Sequence, residues 1–321
     1  MGGNTPETQT AVASDRDIFK ATIPFGTESV RTSAALAPVW PLQLMFSILS
    51  ALLLVRAFIT YHDYLHNAIL SRSRLAKWLF RLFSVMALTP PRSWRHSHNY
   101  HHGHVGNIDA DSTGAFTLMT TDKWRNASFK ERVAYRVERH PLTILAGYFT
   151  VFLISVTLLP LLRNPARHWD SLLVLLGHVG LIAALWSMGG FEMVFFVVLL
   201  PMTISSMIGS FLFFAQHSFE QMQILPAQTW TSRRAAMESS SYMKMNRVMR
   251  WFTGNIGYHH IHHLNVRIPF YRLPEAMEAI EALQNPATIT LSFKDIRACF
   301  RCCLWDAGLG RMVSYREFAS A

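Results

Sequence analysis

Long segments without charge are the feature that most constrains the fold of this 321-residue chain. Half of its residues are hydrophobic and only 16% are charged. A helix that spans a bilayer needs about 20 consecutive apolar residues, and three segments are candidates: Pro38–Val55, Pro141–Leu162 and Ser171–Gln216. The third contains one charge, Glu192, and is long enough to cross twice, with a break near Ser187–Gly190. The sequence therefore predicts an all-α, integral membrane helical bundle.

Basic residues predict which ends of these segments share a side of the membrane. Lys and Arg do not occur between Arg167 and Arg233, and they are frequent on both sides of that gap. By the positive-inside rule, the polar stretches rich in basic residues, which also carry histidine clusters, face the cytoplasm. Arg163 and Arg167 then favour a path in which Pro141–Leu162 enters the membrane and returns, so that both of its ends are cytoplasmic.

Three parts of the chain are expected: a mobile tail at 1–37, a membrane domain at 38–285 and a C-terminal cytoplasmic segment at 286–321. A short apolar piece, Leu79–Leu88, is expected at the membrane interface. The net charge of +10 does not indicate nucleic acid, because the basic residues flank apolar segments, where they would meet anionic lipid or an acidic electron donor. Cys299, Cys302 and Cys303 are expected to be reduced thiols.

Nine of the fifteen histidines form four clusters next to the apolar segments. One cluster is spaced HxxxH, two are spaced HxxHH and one is a single histidine: His62, His66, His98, His101, His102, His217, His259, His262 and His263. Helical residues three or four apart share a face, so HxxxH aims two imidazoles at one point, and one histidine of HxxHH can serve a second metal. Imidazole suits iron, zinc, copper and nickel alike. Nine histidines exceed what one tetrahedral zinc ion uses, so the spacing predicts two metal ions and suits a pair of iron ions.

Neighbouring residues leave several assignments open. His96 and His104 flank the second cluster and are expected to be supporting or solvated groups, and His260 competes with His259 because it also lies three residues before another histidine. Four polar side chains could orient the imidazoles, although an ordinary surface role is as plausible for each: Asp63, Asn99, Glu220 and Asn265.

Together these motifs resemble the membrane fatty-acid desaturase family over roughly Pro38–Leu283. The most specific stretches are Gln216–Glu220 and Gly254–Glu275, and with Tyr135–Pro141 they are similar to the acyl-lipid, Δ12/ω6-like branch. The resemblance implies a non-haem di-iron centre (Fe²⁺/Fe³⁺) held by the nine histidines. It also implies O2 as co-substrate and the acyl chains of membrane lipids as substrate.

The sequence departs from the family pattern in ways that matter for the substrate and the electron donor. The first cluster reads HDYLH from His62, where many members of this branch have small residues before the second histidine, which leaves the regiochemistry open. Phe213 stands where the acyl-CoA branch has Asn, which disfavours that branch. The HPGG motif of a fused cytochrome b5 does not occur, so electrons are expected from a separate ferredoxin or cytochrome b5-type protein.

Desaturation of an acyl chain is the predicted function, and three alternatives share some of its signals. A di-iron hydroxylase or ketolase acting on alkanes, sterol-like lipids or carotenoids would have the same spacing. A membrane metal transporter is disfavoured, because transporters bind their ions near the middle of the bilayer. Here eight of the nine clustered histidines lie well outside the apolar segments, and His217 lies just past the end of the last one. A scaffold that used metal only for folding would hold redox-silent zinc.

Overall fold

The computed structural model describes residues 39–108 and 116–320, so the tail predicted at residues 1–37 lies outside the described residues. The described part is mainly helical. Its α-helices, numbered in chain order, are α1 Trp40–Leu65, α2 Arg74–Ala87, α3 Pro91–His104, α4 Thr121–Asn126, α5 Phe129–Glu138, α6 Pro141–Leu145, α7 Leu159–Arg163, α8 Trp169–Val194, α9 Leu200–Ala215, α10 Ser232–Glu238, α11 Arg247–Phe252, α12 His259–Leu264, α13 Leu273–Ala279, α14 Phe293–Arg301 and α15 Tyr315–Ser320.

The first apolar segment forms α1, which begins after an extended Val39 with a proline in its first turn, where a missing N–H costs nothing. The helix continues ten residues beyond the predicted end at Val55, because residues 56–65 contain neither proline nor glycine to interrupt it. His62 therefore lies on its last turn. The guanidinium of Arg56 stacks over the Trp251 ring at 4.2 Å, which places this charge beside α11.

The third apolar segment forms a helical hairpin: its first arm is α8 up to Gly189, and its second arm runs from Gly190 through a π-helical stretch, Phe195–Leu199, into α9. The backbone leaves helical geometry at Gly189 and Gly190, and Gly190 has φ +61°, a conformation that favours glycine. The start of the hairpin lies beside α3, where the Asp170 carboxylate accepts from the Arg92 N–H at 2.8 Å. Beyond the break, Glu192 accepts from the Gln43 amide at the start of α1. The predicted break near Ser187–Gly190 is thus confirmed.

The second apolar segment is interrupted: α6 and α7 flank a π-helix, Tyr148–Leu158, and hydroxyl groups bond the carbonyls inside it, as Thr157 Oγ1 does to Phe152 O at 2.8 Å. Just before the segment, the Arg139 guanidinium donates to Ser218 beside His217, and just after it, Arg167 contacts His96. Both ends therefore lie next to the histidine clusters. The entry of this segment into a membrane and its return stay a prediction.

Two helical regions are long and apolar enough to cross a membrane within residues 39–108 and 116–320: Trp40–Leu65 and 169–215. Fewer than half of the residues in their most apolar windows are buried, and large apolar side chains such as Trp40, Leu172 and Trp186 are exposed on their outer faces. Exposed apolar surface of this extent indicates association with a membrane.

The prediction of an all-α chain needs one correction, because the described residues include five short strands. β1 (Met119–Thr120) pairs in parallel with β4 (Leu304–Asp306), which pairs antiparallel with β5 (Arg311–Val313). β2 (Tyr242–Lys244) pairs in parallel with β3 (Thr288–Thr290). Strands of two or three residues are too short to show an alternating pattern, so their pairing depends on tertiary contacts. The residues after 285 contribute β3, β4 and β5, and the Tyr135 hydroxyl donates to Cys303 O, so this segment packs against α5.

Candidate metal centre

The first cluster is placed by the end of α1. His62 lies on the last turn of the helix and His66 follows it directly, so both side chains face the same direction. The His62 Nδ1 contacts the Asp63 carboxylate at 3.1 Å, and the other oxygen of Asp63 accepts from the Phe270 N–H at 2.7 Å. A carboxylate on Nδ1 stabilises the tautomer with the proton on that nitrogen, which leaves Nε2 free to bind a metal.

The second cluster lies on α3, which has proline in its first turn and keeps His98, His101 and His102 in one helical run. His98 and His102 are four residues apart and their Nε2 atoms are 3.0 Å apart, while His101 points in a different direction. The ring of Trp94 stacks on His98 with centroids 4.1 Å apart and contacts His62 at 5.5 Å. This tryptophan therefore limits the orientations that both imidazoles can adopt.

The remaining histidines come from the end of α9 and from α12. His217 follows α9, and its Nδ1 lies 2.9 Å from Ser239 O, which again favours the tautomer with Nε2 unprotonated. Gly254 has φ +51°, and a Cβ at Gly257 would lie 2.4 Å from Met243 O, so only glycine lets the turn before α12 approach β2. These two glycines account for part of the GNIGYHHIHH motif.

The nine predicted histidines meet in two groups, which we call group one and group two. Group one contains His62, His66, His98, His102 and His262, and group two contains His101, His217, His259 and His263. Within each group, the candidate ligand nitrogens all lie within 4.8 Å of one another. Each HxxHH cluster is divided: its first and last histidines enter one group and its middle histidine enters the other. The groups adjoin, since the rings of His102 and His263 have centroids 4.2 Å apart.

The distances within the groups fit metal coordination by imidazole. Six Nε2–Nε2 separations lie between 2.9 and 3.2 Å, in the pairs His62–His98, His98–His102, His102–His262, His101–His217, His217–His259 and His259–His263. An imidazole nitrogen lies about 2.1 Å from a first-row metal ion, so nitrogens at adjacent corners of an octahedron around it are about 3.0 Å apart.

Hydrogen bonds alone do not account for this arrangement. His98 Nε2 faces the Nε2 atoms of both His62 and His102, and His217 Nε2 faces those of both His101 and His259. A neutral imidazole has one donor nitrogen, and the contacts of His62 and His217 place that proton on Nδ1. His66 Nε2 is buried and has no hydrogen-bond partner among the described residues. The converging lone pairs and this orphaned nitrogen fit bound metal ions.

The surroundings keep the imidazoles neutral, as metal binding requires. Burial lowers the pKa of His66 and His217 to about 4, and a charge on Arg95 adds to the effect at His66. Burial, followed by the neighbouring histidines, holds the pKa well below its ordinary value in five further cases: His98, His102, His259, His262 and His263.

Of the four candidate orienting residues, Asp63 contacts a histidine of the groups, and the other three lie at the surface. Glu220 faces Arg311 at 3.7 Å, and Asn265 accepts from the N–H of Arg267. Asn99 is exposed on the outer side of α3. Proximity in sequence to a histidine is therefore a weak guide, because an adjacent side chain can turn back to the ring, as Asp63 does, or face solvent, as Asn99 does.

Other histidines have separate contacts. His96 contacts Arg167, His104 stacks on Tyr100, and His260 Nε2 faces Leu283 O. The assignment of His259 as a metal ligand stays a prediction. Sequence reasoning missed Trp94 and the carbonyl of Ser239. Trp94 could have been noticed as an aromatic residue one turn before His98, whereas a backbone carbonyl leaves no signal in a sequence.

A cavity of about 330 Å³ adjoins both groups. His62 and His98 of group one and His259 of group two contribute to its wall. The rest of the wall is mostly apolar, with Phe58, Phe152 and Met202 among its residues. Met202 precedes Gln216, another wall residue, by 14 positions on α9, so the cavity extends about 20 Å away from the histidines at the α-helical rise.

Comparison with known proteins agrees with this geometry. Residues 38–292 match the sequence model of the fatty acid desaturase family. The chain belongs to the fatty acid desaturase family. It is 35% identical over 276 residues to a fatty acid desaturase of Bacillus subtilis (strain 168), which covers 86% of this chain and 78% of that protein. The resemblance predicted from the histidine motifs is therefore confirmed, and the enzyme is an oxidoreductase that desaturates fatty acyl chains.

Two more distant relatives carry more specific names. An sn-1 acyl-lipid omega-3 desaturase (ferredoxin) of Nostoc sp. (strain 36) is 25% identical over 77% of this chain and 69% of its own length. An sn-1 oleoyl-lipid 12-desaturase of Synechocystis sp. (strain ATCC 27184 / PCC 6803 / Kazusa) is 24% identical over 83% of this chain and 76% of its own length. These names describe enzymes that act on acyl chains attached to a lipid.

Proposed function

We propose that this desaturase acts on acyl chains of membrane lipids at a di-iron centre, with O2 as oxidant and electrons from a ferredoxin-type protein. The observation that carries the proposal is the meeting of two buried histidine groups at one apolar cavity. Group one would hold one iron and group two the other. The residues from 38 to about 285 form the membrane domain in this proposal, and the segment after it is cytoplasmic.

Iron bound there would supply the redox chemistry with O2 that an alkyl C–H bond requires, because no acid or base removes such a hydrogen. Overall, two hydrogens leave adjacent methylenes, the donor supplies two electrons with two protons, and O2 becomes two water molecules. The protein binds and orients the chain: the cavity wall between Met202 and His98 is largely apolar and keeps bulk water away from it.

The lipid substrate and the donor are supported by the relatives. Two of them are named as ferredoxin-linked acyl-lipid desaturases. A ferredoxin is acidic and soluble, so it would approach from the side where this chain has its basic residues, and we place the histidine groups on the cytoplasmic side for that reason. Cytochrome b5-type donors are the alternative in the same role.

The proposal is tested by expressing the chain in a bacterial host supplied with ferredoxin and its reductase, with acyl chains analysed by gas chromatography–mass spectrometry. A new unsaturated chain is expected, and iron close to two equivalents per protein is expected from the two groups. His262→Ala should abolish the product. The matched control, His96→Ala, removes an exposed histidine of α3 that contacts Arg167 and should retain it.

Three outcomes would contradict the proposal. A hydroxylated chain would show that oxygen is inserted rather than hydrogen removed. Activity retained in both His262→Ala and His101→Ala would show that these histidines do not bind a required metal. Zinc in place of iron, in protein that produces unsaturated chains, would exclude the iron assignment.

A further inference from the structure

We propose that α5, Phe129–Glu138, binds the surface of the bilayer and selects anionic lipid headgroups there. The inference rests on the proposed membrane insertion of α1 and the 169–215 hairpin. Three apolar side chains of this helix are exposed at positions i, i+4 and i+8: Phe129 by 81%, Val133 by 41% and Val137 by 56%. We call them the apolar stripe.

The apolar stripe lies opposite the face by which α5 packs on the protein. Tyr135 is the buried residue of the helix, and its hydroxyl contacts Met119 N in β1 and Cys303 O just before β4. At 3.6 residues per turn, Val133 and Val137 each lie about 160° around the helix from Tyr135. The stripe therefore faces away from the protein.

Charges are sorted around the stripe as they are in helices that lie in a membrane interface. Lys130 and Arg136 are exposed on its two flanks. The acids are on the side nearer the protein: Glu131 closes the capping box with Ser128, and Glu138 accepts from Thr117 N and Oγ1. An apolar stripe between basic flanks is attracted to anionic lipid, and each Lys or Arg near such a surface contributes about 1 kcal/mol.

The stripe is followed in sequence by exposed apolar side chains of the second apolar segment, which would face lipid in the proposed membrane domain. Three residues after α5 ends, Pro141 starts the second apolar segment, and Leu142 there is 71% exposed. Phe149 and Ile154 of the following π-helix are also exposed. A bilayer that covers these side chains extends at its surface to the apolar stripe, which favours lipid over a second protein as the occupant.

The position of α5 has a consequence for the enzyme, because its C-terminal end touches the site. Glu138 contributes to the wall of the cavity, and Arg139 donates to Ser218 next to His217. An α5 seated on headgroups would thus fix the depth of the histidine end of the cavity relative to the membrane surface.

The test uses the full-length, iron-loaded protein in lipid nanodiscs with a spin label at Val133→Cys. The native cysteines are buried, and unsubstituted protein measures their background. Collision of the label with O2, which concentrates in lipid, is compared with collision with a water-soluble nickel chelate. Leu176→Cys on the exposed face of α8 is the reference for lipid, and Ala319→Cys on exposed α15 is the reference for water.

In discs that contain phosphatidylglycerol, the Val133→Cys label should resemble the lipid reference, with nickel collisions reduced several-fold relative to the water reference. Adding Lys130→Glu and Arg136→Glu should restore nickel access several-fold, as should discs of phosphatidylcholine alone. Equal protection in phosphatidylcholine discs, or with both reversals, would overturn the selection of anionic lipid.

The remaining outcomes distinguish the role of α5 from membrane insertion as such. Nickel access at position 133 together with protection at position 176 would overturn the role of α5 while membrane insertion stands. Nickel access at position 176 would overturn membrane insertion itself. Protection at position 133 accompanied by spin–spin broadening would mean that a second copy of the chain covers the stripe, which would also overturn the proposal.

Discussion

At the scale of single residues, Asp63 joins two distant parts of the proposed centre. One carboxylate oxygen contacts His62 Nδ1, and the other accepts from Phe270 N–H in the segment that follows the last histidine cluster. The carboxylate is buried, so both contacts compensate for its lost hydration. Asp63 thus orients a proposed ligand and fixes α1 against the turn after α12 at the same time.

Asp63→Asn should weaken iron binding, because an amide has one oxygen for two N–H donors and brings an N–H₂ against one of them. Loss of a group that orients a metal-binding histidine typically lowers metal affinity or activity by about 10–100-fold. The measurement is iron affinity by competition with a chelator, with Glu220→Gln as the control because Glu220 is exposed. Equal affinity in the two variants would show that Asp63 does not orient His62.

At the scale of elements, the site depends on how closely short pieces of backbone approach one another. The six-residue helix α12 carries three of the nine histidines, and it is too short to be stable alone. Its position comes from the preceding turn, which packs Gly257 against β2. Likewise, α9 and the π-helix Tyr148–Leu158 form two walls of the cavity, and the distance between them sets the width of the cavity.

Gly257→Ala should destabilise the protein and reduce the iron content, because the new methyl group would lie 2.4 Å from Met243 O. Overpacking of this kind costs about 1–3 kcal/mol. Gly103→Ala is the matched control: no atom lies within 4 Å of a Cβ there, and alanine favours the helix by up to about 1 kcal/mol. Thermal unfolding in detergent with iron analysis measures both effects. An unchanged midpoint for Gly257→Ala would contradict the close approach.

Gly209→Leu should reduce desaturation of long acyl chains by more than about tenfold, since blocking the productive position of a substrate costs at least about 1.4 kcal/mol of binding. Gly209 is part of the cavity wall, and a Cβ there would lie 3.9 Å from Phe152 Cζ, so alanine fits and leucine would extend into the cavity. Turnover and iron content are measured for Gly209→Leu and for the control, Gly209→Ala. Full turnover by Gly209→Leu, with iron bound, would mean that the chain does not pass this wall.

At the scale of the whole molecule, the histidine clusters converge because the apolar segments return to one side. The hairpin begins beside Arg92 and ends at His217, and the second apolar segment begins and ends near the clusters. The His62 end of α1 lies at the site. Gln43, at the other end of the helix, lies by Glu192, close to the break in the hairpin. A path of this kind brings four clusters together across 200 residues of sequence.

Met188→Cys and Arg163→Cys should react with a membrane-impermeant thiol reagent from opposite sides of the membrane. Met188 is exposed next to the break in the hairpin, and Arg163 is exposed at the end of α7 near the histidine side. The native cysteines are buried and give little background. Labelling of intact and inverted vesicles measures the two positions. Reaction of both from the same side would exclude the hairpin as a double crossing.

The sequence by itself determined the apolar segments, the break at Gly189–Gly190 and the nine clustered histidines, because these are signals of composition and of local helical spacing. The tertiary structure decided how the histidines divide: His98 and His102 join His62 in group one, while His101 joins His217 in group two. His101 and His102 are adjacent on their helix, so their side chains differ by about 100° in direction, and only the surrounding helices determine what each direction meets. The short strands, the orienting role of Asp63 and the apolar stripe of α5 likewise depend on partners that are distant in sequence.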